Sequence, residues 1–197
     1  LSDAMDLAKM LAVLDMVEPL QNESFRVWKQ TRIGLLSHPL DPDAARGHLA
    51  AATYLQMALK PHIYHIVGHT EAHHAATADD IIVASKIIRR AIENAVRGAP
   101  DMTSDPQIAA RRKQLVDEAN CLLDAIASLA GPNVAEPFTD PRTLTRAVTC
   151  GLMDAPQLRN NKFGRGDIRT MIVNGANLAV NAEGRVLRES ERLSSLI

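Results

Sequence analysis

The pattern of apolar and polar positions predicts helices separated by short strands over most of the chain. Near the start, apolar residues recur at helical spacing and predict a helix over residues 2–20 that packs on one side. An alanine-rich helix is predicted after the turn HPLDPD, ending before Pro61. Two further long helices are predicted, one capped by Thr77 and one starting near Asp105.

Two stretches between these helices are typical of strands. SFRVWKQTRIG begins with β-branched and aromatic residues, and HIYHIVGH is rich in Ile and Val before Gly68 closes it. We expect the second to be a buried strand of about five or six residues. Alternating strands and helices indicate a parallel sheet, and two parallel strands are too few to form one alone. The pattern therefore predicts an α/β fold, the C-terminal part of a (β/α)8 barrel of the TIM type.

The last third of the chain has a different pattern. A short helix is predicted to open at Asp140–Pro141, and two or three short strands are predicted with turns at Asn174–Gly175 and Glu183–Gly184. We therefore divide the chain into two parts. Residues 1–131 hold the strands and helices of the barrel, and residues 132–197 form a C-terminal extension of one helix and short strands.

Composition and charge narrow the classes of function. The 197 residues are 46% hydrophobic and 23% charged, with a formal net charge of −1. Nucleic-acid binders use clustered Lys and Arg, and often aromatic residues on which bases stack. Only 3% of this chain is aromatic, so we expect no nucleic-acid partner. No apolar run reaches the roughly 18–20 residues that cross a bilayer, so we expect no membrane partner and a cytoplasmic location.

Five of the seven histidines lie in the stretch HIYHIVGHTEAHHAATADD. His65, His69 and His73 are spaced four apart, a spacing that binds zinc when it lies on one helix face. Gly68 here separates a strand from a loop, so the three share no face and we assign no metal ligands. His69, His73 and His74 are instead expected to line a pocket as proton donors or hydrogen-bond partners of substrate carboxylates. We take His69 and His73 as the catalytic candidates.

Glu71 comes just after the predicted strand, where barrel enzymes place their catalytic groups. A carboxylate there can accept two hydrogen bonds from ribose hydroxyls, which suits a nucleoside. The alternative is that Glu71 is a solvent-exposed acid in the loop or that it caps the next helix. The other strand-end loop, SHPLDPD, either brings His38 to the same pocket or is a turn that starts a helix, with Asp41 or Asp43 as its cap.

Three stretches in collinear order resemble one enzyme family. HPLDPDAARG carries Pro39, Asp41, Ala44 and Gly47, TEAHHAATADD follows the next strand, and GLMDAP comes much later. In order and spacing they are similar to the large (epsilon) subunit of adenosylcobalamin-dependent glutamate mutase, also called methylaspartate mutase. The resemblance covers the chain up to about Asp167 and matches the C-terminal part of that subunit.

The resemblance implies a (β/α)8 barrel and an isomerase, an intramolecular transferase that interconverts glutamate and 3-methylaspartate by radical rearrangement of the carbon skeleton. It implies adenosylcobalamin as the cofactor, with the corrin held mainly by a separate small cobalamin-binding subunit. In the family, a lysine and a glutamate of a Lys-Thr-Pro-His-Glu-Ala motif contact the adenosyl ribose. Glu71 and Ala72 match the last two residues of that motif, so Glu71 is implied to bind the cofactor, whereas Val67 occupies the lysine position.

Two hypotheses of different classes follow. In the first, the chain is the barrel portion of a cobalamin-dependent, mutase-like isomerase acting on a small amino acid such as glutamate or 3-methylaspartate. In the second, it is a non-catalytic barrel paralogue that acts as a partner or scaffold subunit. A metal-binding enzyme built on the histidines is a third alternative. Because an incomplete barrel exposes strand edges, we expect a homo- or hetero-oligomer.

Overall fold

A computed structural model describes residues 2–196, with every side chain in that range except that of Leu36. Helices make up 52% of the structure. The α-helices are α1 (Asp3–Val17), α2 (Pro42–Gln56), α3 (Ala78–Val96), α4 (Pro106–Ser128), α5 (Pro141–Thr149) and α6 (Glu189–Ser194). The helices predicted over residues 2–20, before Pro61, after Thr77 and near Asp105 are confirmed.

Short polar side chains fix where three of these helices begin. The Asp41 carboxylate accepts a hydrogen bond from the Ala44 amide at 2.7 Å at the start of α2. Thr77 and Asp80 form a capping box at the start of α3. Hydrogen bonds from the Thr77 amide and then the Thr77 hydroxyl lower the pKa of Asp80 to about 2. The Asp140 carboxylate caps α5 as the Asp41 carboxylate caps α2. Local sequence alone therefore sets where these helices begin.

The prediction of a C-terminal part of a (β/α)8 barrel is wrong. Strands β1 (Gln30–Thr31) and β2 (Ile63–Tyr64) pair in parallel over two residues each, and no further strand joins their sheet among residues 2–196. The predicted strand of five or six buried residues is therefore also wrong. Ile63 is 49% exposed. Pairing ends at Tyr64, and Val67 is buried in a core made mainly by helical residues and not in a sheet.

The second sheet is a hairpin of β3 (Arg169–Val173) and β4 (Ala176–Val180). Asn174 and Gly175 join the strands, and both have positive φ. Two such residues form the type I′ turn, whose twist matches that of the flanking strands. The predicted turn at Asn174–Gly175 is confirmed.

The chain forms two compact units. The first unit is Leu7–Ala109, and the second consists of the described residues on either side of it. The predicted ranges 1–131 and 132–197 stay a prediction. No helix within residues 2–196 is long and apolar enough to cross a membrane.

The core of the first unit joins the two strands to α2 and α3. Its buried residues come from the segment after β1, from α2, from the segment after β2 and from α3: Ile33, Leu49, Val67, Ala84 and Ile88. Leu49 is fully buried, and burying a leucine side chain contributes about 2 kcal/mol. This packing holds the ends of both strands beside the start of α2.

The second unit is organised by two charged side chains, Asp154 and Arg192. The Asp154 carboxylate, in the GLMDAP turn, accepts hydrogen bonds from the amides of Gly166, Asp167 and Ile168 at 2.7, 2.8 and 3.1 Å. Burial pushes the pKa of Asp154 up, but these backbone hydrogen bonds outweigh it and the pKa is lowered. Arg192 lies on α6, and its guanidinium binds the same GLMDAP turn.

Arg192 is only 9% exposed. Its guanidinium donates to the carbonyl oxygens of Gly151 at 3.0 Å and Leu152 at 2.9 Å, and it pairs with both carboxylate oxygens of Glu189. The GLMDAP stretch, which carries part of the family resemblance, therefore has a structural role in this fold.

Candidate functional site

Four histidines gather where β1 and β2 end and α2 begins. We call them the histidine cluster: His38, His48, His69 and His73. The His38 and His48 rings meet edge to face with centroids 5.9 Å apart. His73 Nε2 lies 3.3 Å from the Pro39 carbonyl oxygen, beside His38 in the chain. His69 is tied to α2 through Arg46.

Several ring nitrogens of the cluster are buried without a partner. His38 is 8% exposed and His69 is 2% exposed. Both nitrogens of His38, Nε2 of His48 and Nδ1 of His69 make no hydrogen bond within residues 2–196. More than nine in ten buried polar groups in folded proteins have a partner, whether protein or water. A group of such nitrogens in one place indicates a site for water or a ligand.

Burial and neighbouring charges favour the neutral form of His38. Burial is the largest cause that lowers the pKa of His38, followed by repulsion from His48, His69 and His73. Glu71 acts in the opposite direction and offsets part of the effect. A neutral imidazole has one N–H donor and one acceptor, so this form of His38 can donate one hydrogen bond and accept another.

The two predicted catalytic histidines both belong to the cluster, in different environments. His69 is buried, and its Nε2 accepts a hydrogen bond from Arg46 Nε at 3.4 Å. His73 is exposed at the rim, and its Nε2 donates to the Pro39 carbonyl oxygen, since a carbonyl oxygen can only accept. The structure brings these residues together with His38, and their catalytic role stays a prediction.

Glu71 closes the turn that follows β2. Its Oε1 accepts a hydrogen bond from the Gly68 amide at 2.5 Å, and its own amide donates to the Gly68 carbonyl oxygen at 3.1 Å. The side chain is exposed and, with His73 and His74, lines an open cleft of about 490 Å³. One carboxylate oxygen is thus used by the turn, while the residue still faces the cleft.

Val67 decides how well this chain fits an adenosyl group. The residue is 2% exposed and packs in the apolar core of the first unit. A side chain at this position therefore points away from the cleft that Glu71 lines. Glu71 is the one residue here that matches the adenosyl contacts of the family, and the lysine is absent, so we derive no reaction step through cobalamin.

Three other histidines of the predicted stretch lie outside the cluster. His74 Nε2 lies 3.3 Å from the Asp80 carboxylate and so belongs to the cap of α3. His62 Nδ1 accepts a hydrogen bond from the Lys29 amide at 3.0 Å where the strands start to pair, and His65 is exposed. Within residues 2–196, no group of three or more His, Cys, Asp or Glu side chains is placed to hold a metal ion.

Two site residues were missed from the sequence, Arg46 and His48. Both lie in an alanine-rich helix whose composition gives no sign of a functional site. Their position near the start of a helix that directly follows a strand-end loop could have identified them. That end of the helix lies beside the ends of the strands.

Comparisons of this chain with protein-family models, with curated proteins and with solved structures found no match. The site is therefore defined by its own chemistry. It is a partly buried, histidine-rich site with ring nitrogens without a partner inside, and with a carboxylate and an exposed histidine at its rim.

Proposed function

We propose that the histidine cluster binds a carboxylate of a small amino acid, and that the chain serves a cobalamin-dependent, mutase-like isomerase. The observation that carries the first part is the set of buried ring nitrogens without a partner on His38, His48 and His69. Each neutral imidazole has one N–H to donate. A carboxylate has two oxygens that accept several such bonds, and hydrogen bonds to an ionised group are about twice as strong as neutral ones.

Charge also favours an anionic ligand. The Arg46 guanidinium lies against His69 and is permanently positive. Asp43 pairs with Arg46 at 3.0 Å and offsets part of that charge. Glu71 is the acid at the rim, and its negative charge suits a hydroxyl or ammonium group better than a carboxylate. A small amino acid, with one or two carboxylates and an ammonium group, matches this arrangement of donors inside and an acceptor outside.

The mutase part of the proposal rests on the collinear motifs. It gives glutamate or 3-methylaspartate as the substrate class and adenosylcobalamin as the cofactor, which supplies the radical that starts the rearrangement. The corrin is held mainly by a separate small cobalamin-binding subunit in a hetero-oligomer. Glu71 is the one residue of this chain proposed to contact the cofactor, while His69 and His73 bind the substrate and hold or move protons at their ring nitrogens.

Ring ¹⁵N NMR of the histidines during titration with glutamate, and separately with 3-methylaspartate, tests the substrate site. We expect the His38 and His69 nitrogens to shift and those of His62 to stay, because His62 is engaged with the Lys29 amide. Glutaminamide, which lacks both carboxylates, is the control ligand. The absence of a shift with either acid, or an equal shift with glutaminamide, contradicts a carboxylate site.

A second candidate is a non-catalytic partner or scaffold subunit, and the buried Val67 favours it. Calorimetric titration of the chain with a candidate small subunit loaded with adenosylcobalamin, followed by an assay for turnover of glutamate, separates the two. Heat of binding with turnover supports the isomerase. Heat of binding without turnover supports the scaffold, and no heat of binding contradicts both.

A further inference from the structure

We infer that Arg46 is a positioning residue that fixes the tautomer of His69, so that the Nδ1–H of His69 is the donor presented to the ligand. The inference deepens the proposed function and rests on it for the identity of the ligand. The relationship between Arg46 and His69 stands on geometry alone.

Three side chains form a chain of contacts from α2 to the segment after β2. Asp43 Oδ1 accepts a hydrogen bond from Arg46 Nη1 at 3.0 Å, one turn apart on α2. Arg46 Nε in turn donates to His69 Nε2 at 3.4 Å. The guanidinium fork thus contacts Asp43 on one side and the imidazole on the other. Because the fork is planar and rigid, the two contacts have a fixed geometry relative to each other.

The direction of the second hydrogen bond sets where the His69 hydrogen lies. A guanidinium has five N–H donors and no acceptor, so His69 Nε2 must carry the lone pair. A neutral imidazole has one ring hydrogen, which then lies on Nδ1. The imidazolium form is incompatible with the bond, since both of its nitrogens are donors.

His69 Nδ1 is consequently a buried N–H donor without a partner among the described residues. Glu71 Oε1 is engaged with the Gly68 amide. Only an acceptor atom can complete Nδ1–H. That excludes a metal cation at Nδ1, which needs a free lone pair, and selects an oxygen of water or a carboxylate or carbonyl oxygen of the ligand.

His73 has the opposite tautomer, because its Nε2 donates to the Pro39 carbonyl oxygen. The two predicted catalytic histidines are therefore held with their hydrogens on different nitrogens, His69 by a side chain and His73 by the backbone. A substitution at Arg46 should alter His69 and leave His73 as it is, which makes His73 an internal reference.

Two-bond ¹H–¹⁵N ring spectra of the chain labelled at histidine test the inference without any ligand. We expect His69 to have a protonated Nδ1 and an unprotonated Nε2. Arg46→Met removes the donor and should move His69 toward the Nε2–H form, while Arg46→Lys keeps a donor and should retain Nδ1–H. Arg89→Met, at an exposed position of α3, is the matched control. Asp43→Asn is a milder second variant that should broaden or partly shift the His69 signals.

The outcomes separate this inference from the proposed function. A wild-type His69 in the Nε2–H form, or a His69 tautomer unchanged in Arg46→Met, overturns the role of Arg46 whatever the ligand does. A confirmed tautomer with no response to glutamate leaves Arg46 as a positioning residue and removes the carboxylate ligand. If both hold, Arg46→Met should weaken glutamate binding by roughly tenfold, the loss expected for one hydrogen bond to a charged group.

Discussion

The Tyr64 hydroxyl and the Thr53 hydroxyl share a hydrogen bond of 2.8 Å that joins β2 to α2. Thr53 is fully buried, and its own hydrogen is donated to the Leu49 carbonyl oxygen at 2.7 Å. Tyr64 must therefore be the donor in the bond between them. This bond holds β2 just before the chain turns into the loop that carries His69 and Glu71.

Removing the hydroxyl of Tyr64 should weaken the first unit modestly. Tyr64→Phe is expected to lower the free energy of unfolding by about 1 kcal/mol, the usual value of one hydrogen bond. Thr53→Val should cost more, about 1–3 kcal/mol, because it leaves the Tyr64 hydroxyl without its partner. Urea unfolding measures both, with Tyr54→Phe on α2 as control. Losses that are additive in the double variant would show that the two hydroxyls are not coupled.

The folded protein should lose stability in mild acid through His38. Its pKa is lowered from the ordinary value of 6.5, so the unfolded chain binds the proton more readily than the folded one. Stability is then full above 6.5 and falls as the pH drops through that value. Urea midpoints between roughly pH 7.5 and 5.5 measure the slope.

The variant His38→Gln should flatten that pH dependence, and His65→Gln, at an exposed position, should leave it unchanged. If stability depended on pH equally in the two variants, a group other than His38 would cause the loss of stability in acid.

A lysine introduced at position 67 should not create a cofactor contact. Val67 is buried among apolar side chains, so Val67→Lys places an unpaired charge in the core and is expected to cost about 3–5 kcal/mol. His65→Lys, at an exposed position, should change stability by less than about 0.5 kcal/mol. A Val67→Lys protein as stable as the wild type, with tighter binding of adenosylcobalamin in calorimetry, would be the contrary result.

In the second unit, Arg192 should be the most sensitive arginine. Arg192→Met leaves the Gly151 and Leu152 carbonyl oxygens and the Glu189 carboxylate without their donor, and we expect a loss of about 3–5 kcal/mol. Arg185→Met breaks an ion pair with Glu191 in which both side chains are exposed and should cost about 0–1 kcal/mol. Thermal unfolding compares them, and equal shifts of Tm would remove Arg192 from its organising role.

Local signals were enough for the helices but not for the sheet. Caps such as Thr77 and Asp140 act within a few residues, so their effect can be predicted from the sequence. A strand depends on partners that are far along the chain. Ile63 and Ile66 have strong strand propensity, but only Ile63 pairs, and both are exposed. The barrel was inferred from that propensity and from the resemblance, and the structure has too few strands for it.

The candidate site was predicted in part for a similar reason. His69, His73 and Glu71 follow a strand, and that position alone predicted that they share a pocket, whereas the sequence did not settle whether His38 joins them. Arg46 and His48 reach the site from α2, which requires knowing how the helix packs on the strands. The buried nitrogens without partners depend on every neighbour at once, so no sequence pattern indicates them.

The two-residue ladder between β1 and β2 also has a kinetic consequence. Lys29 and His62, at the start of that ladder, are 33 residues apart, and closing a loop of that size costs about 3 kcal/mol of chain entropy. The few strand hydrogen bonds, each contributing about 1 kcal/mol, offset this only once α2 has packed beneath them. The histidine cluster should therefore assemble after the folding transition state, and substitutions in it should speed unfolding while leaving the folding rate nearly unchanged.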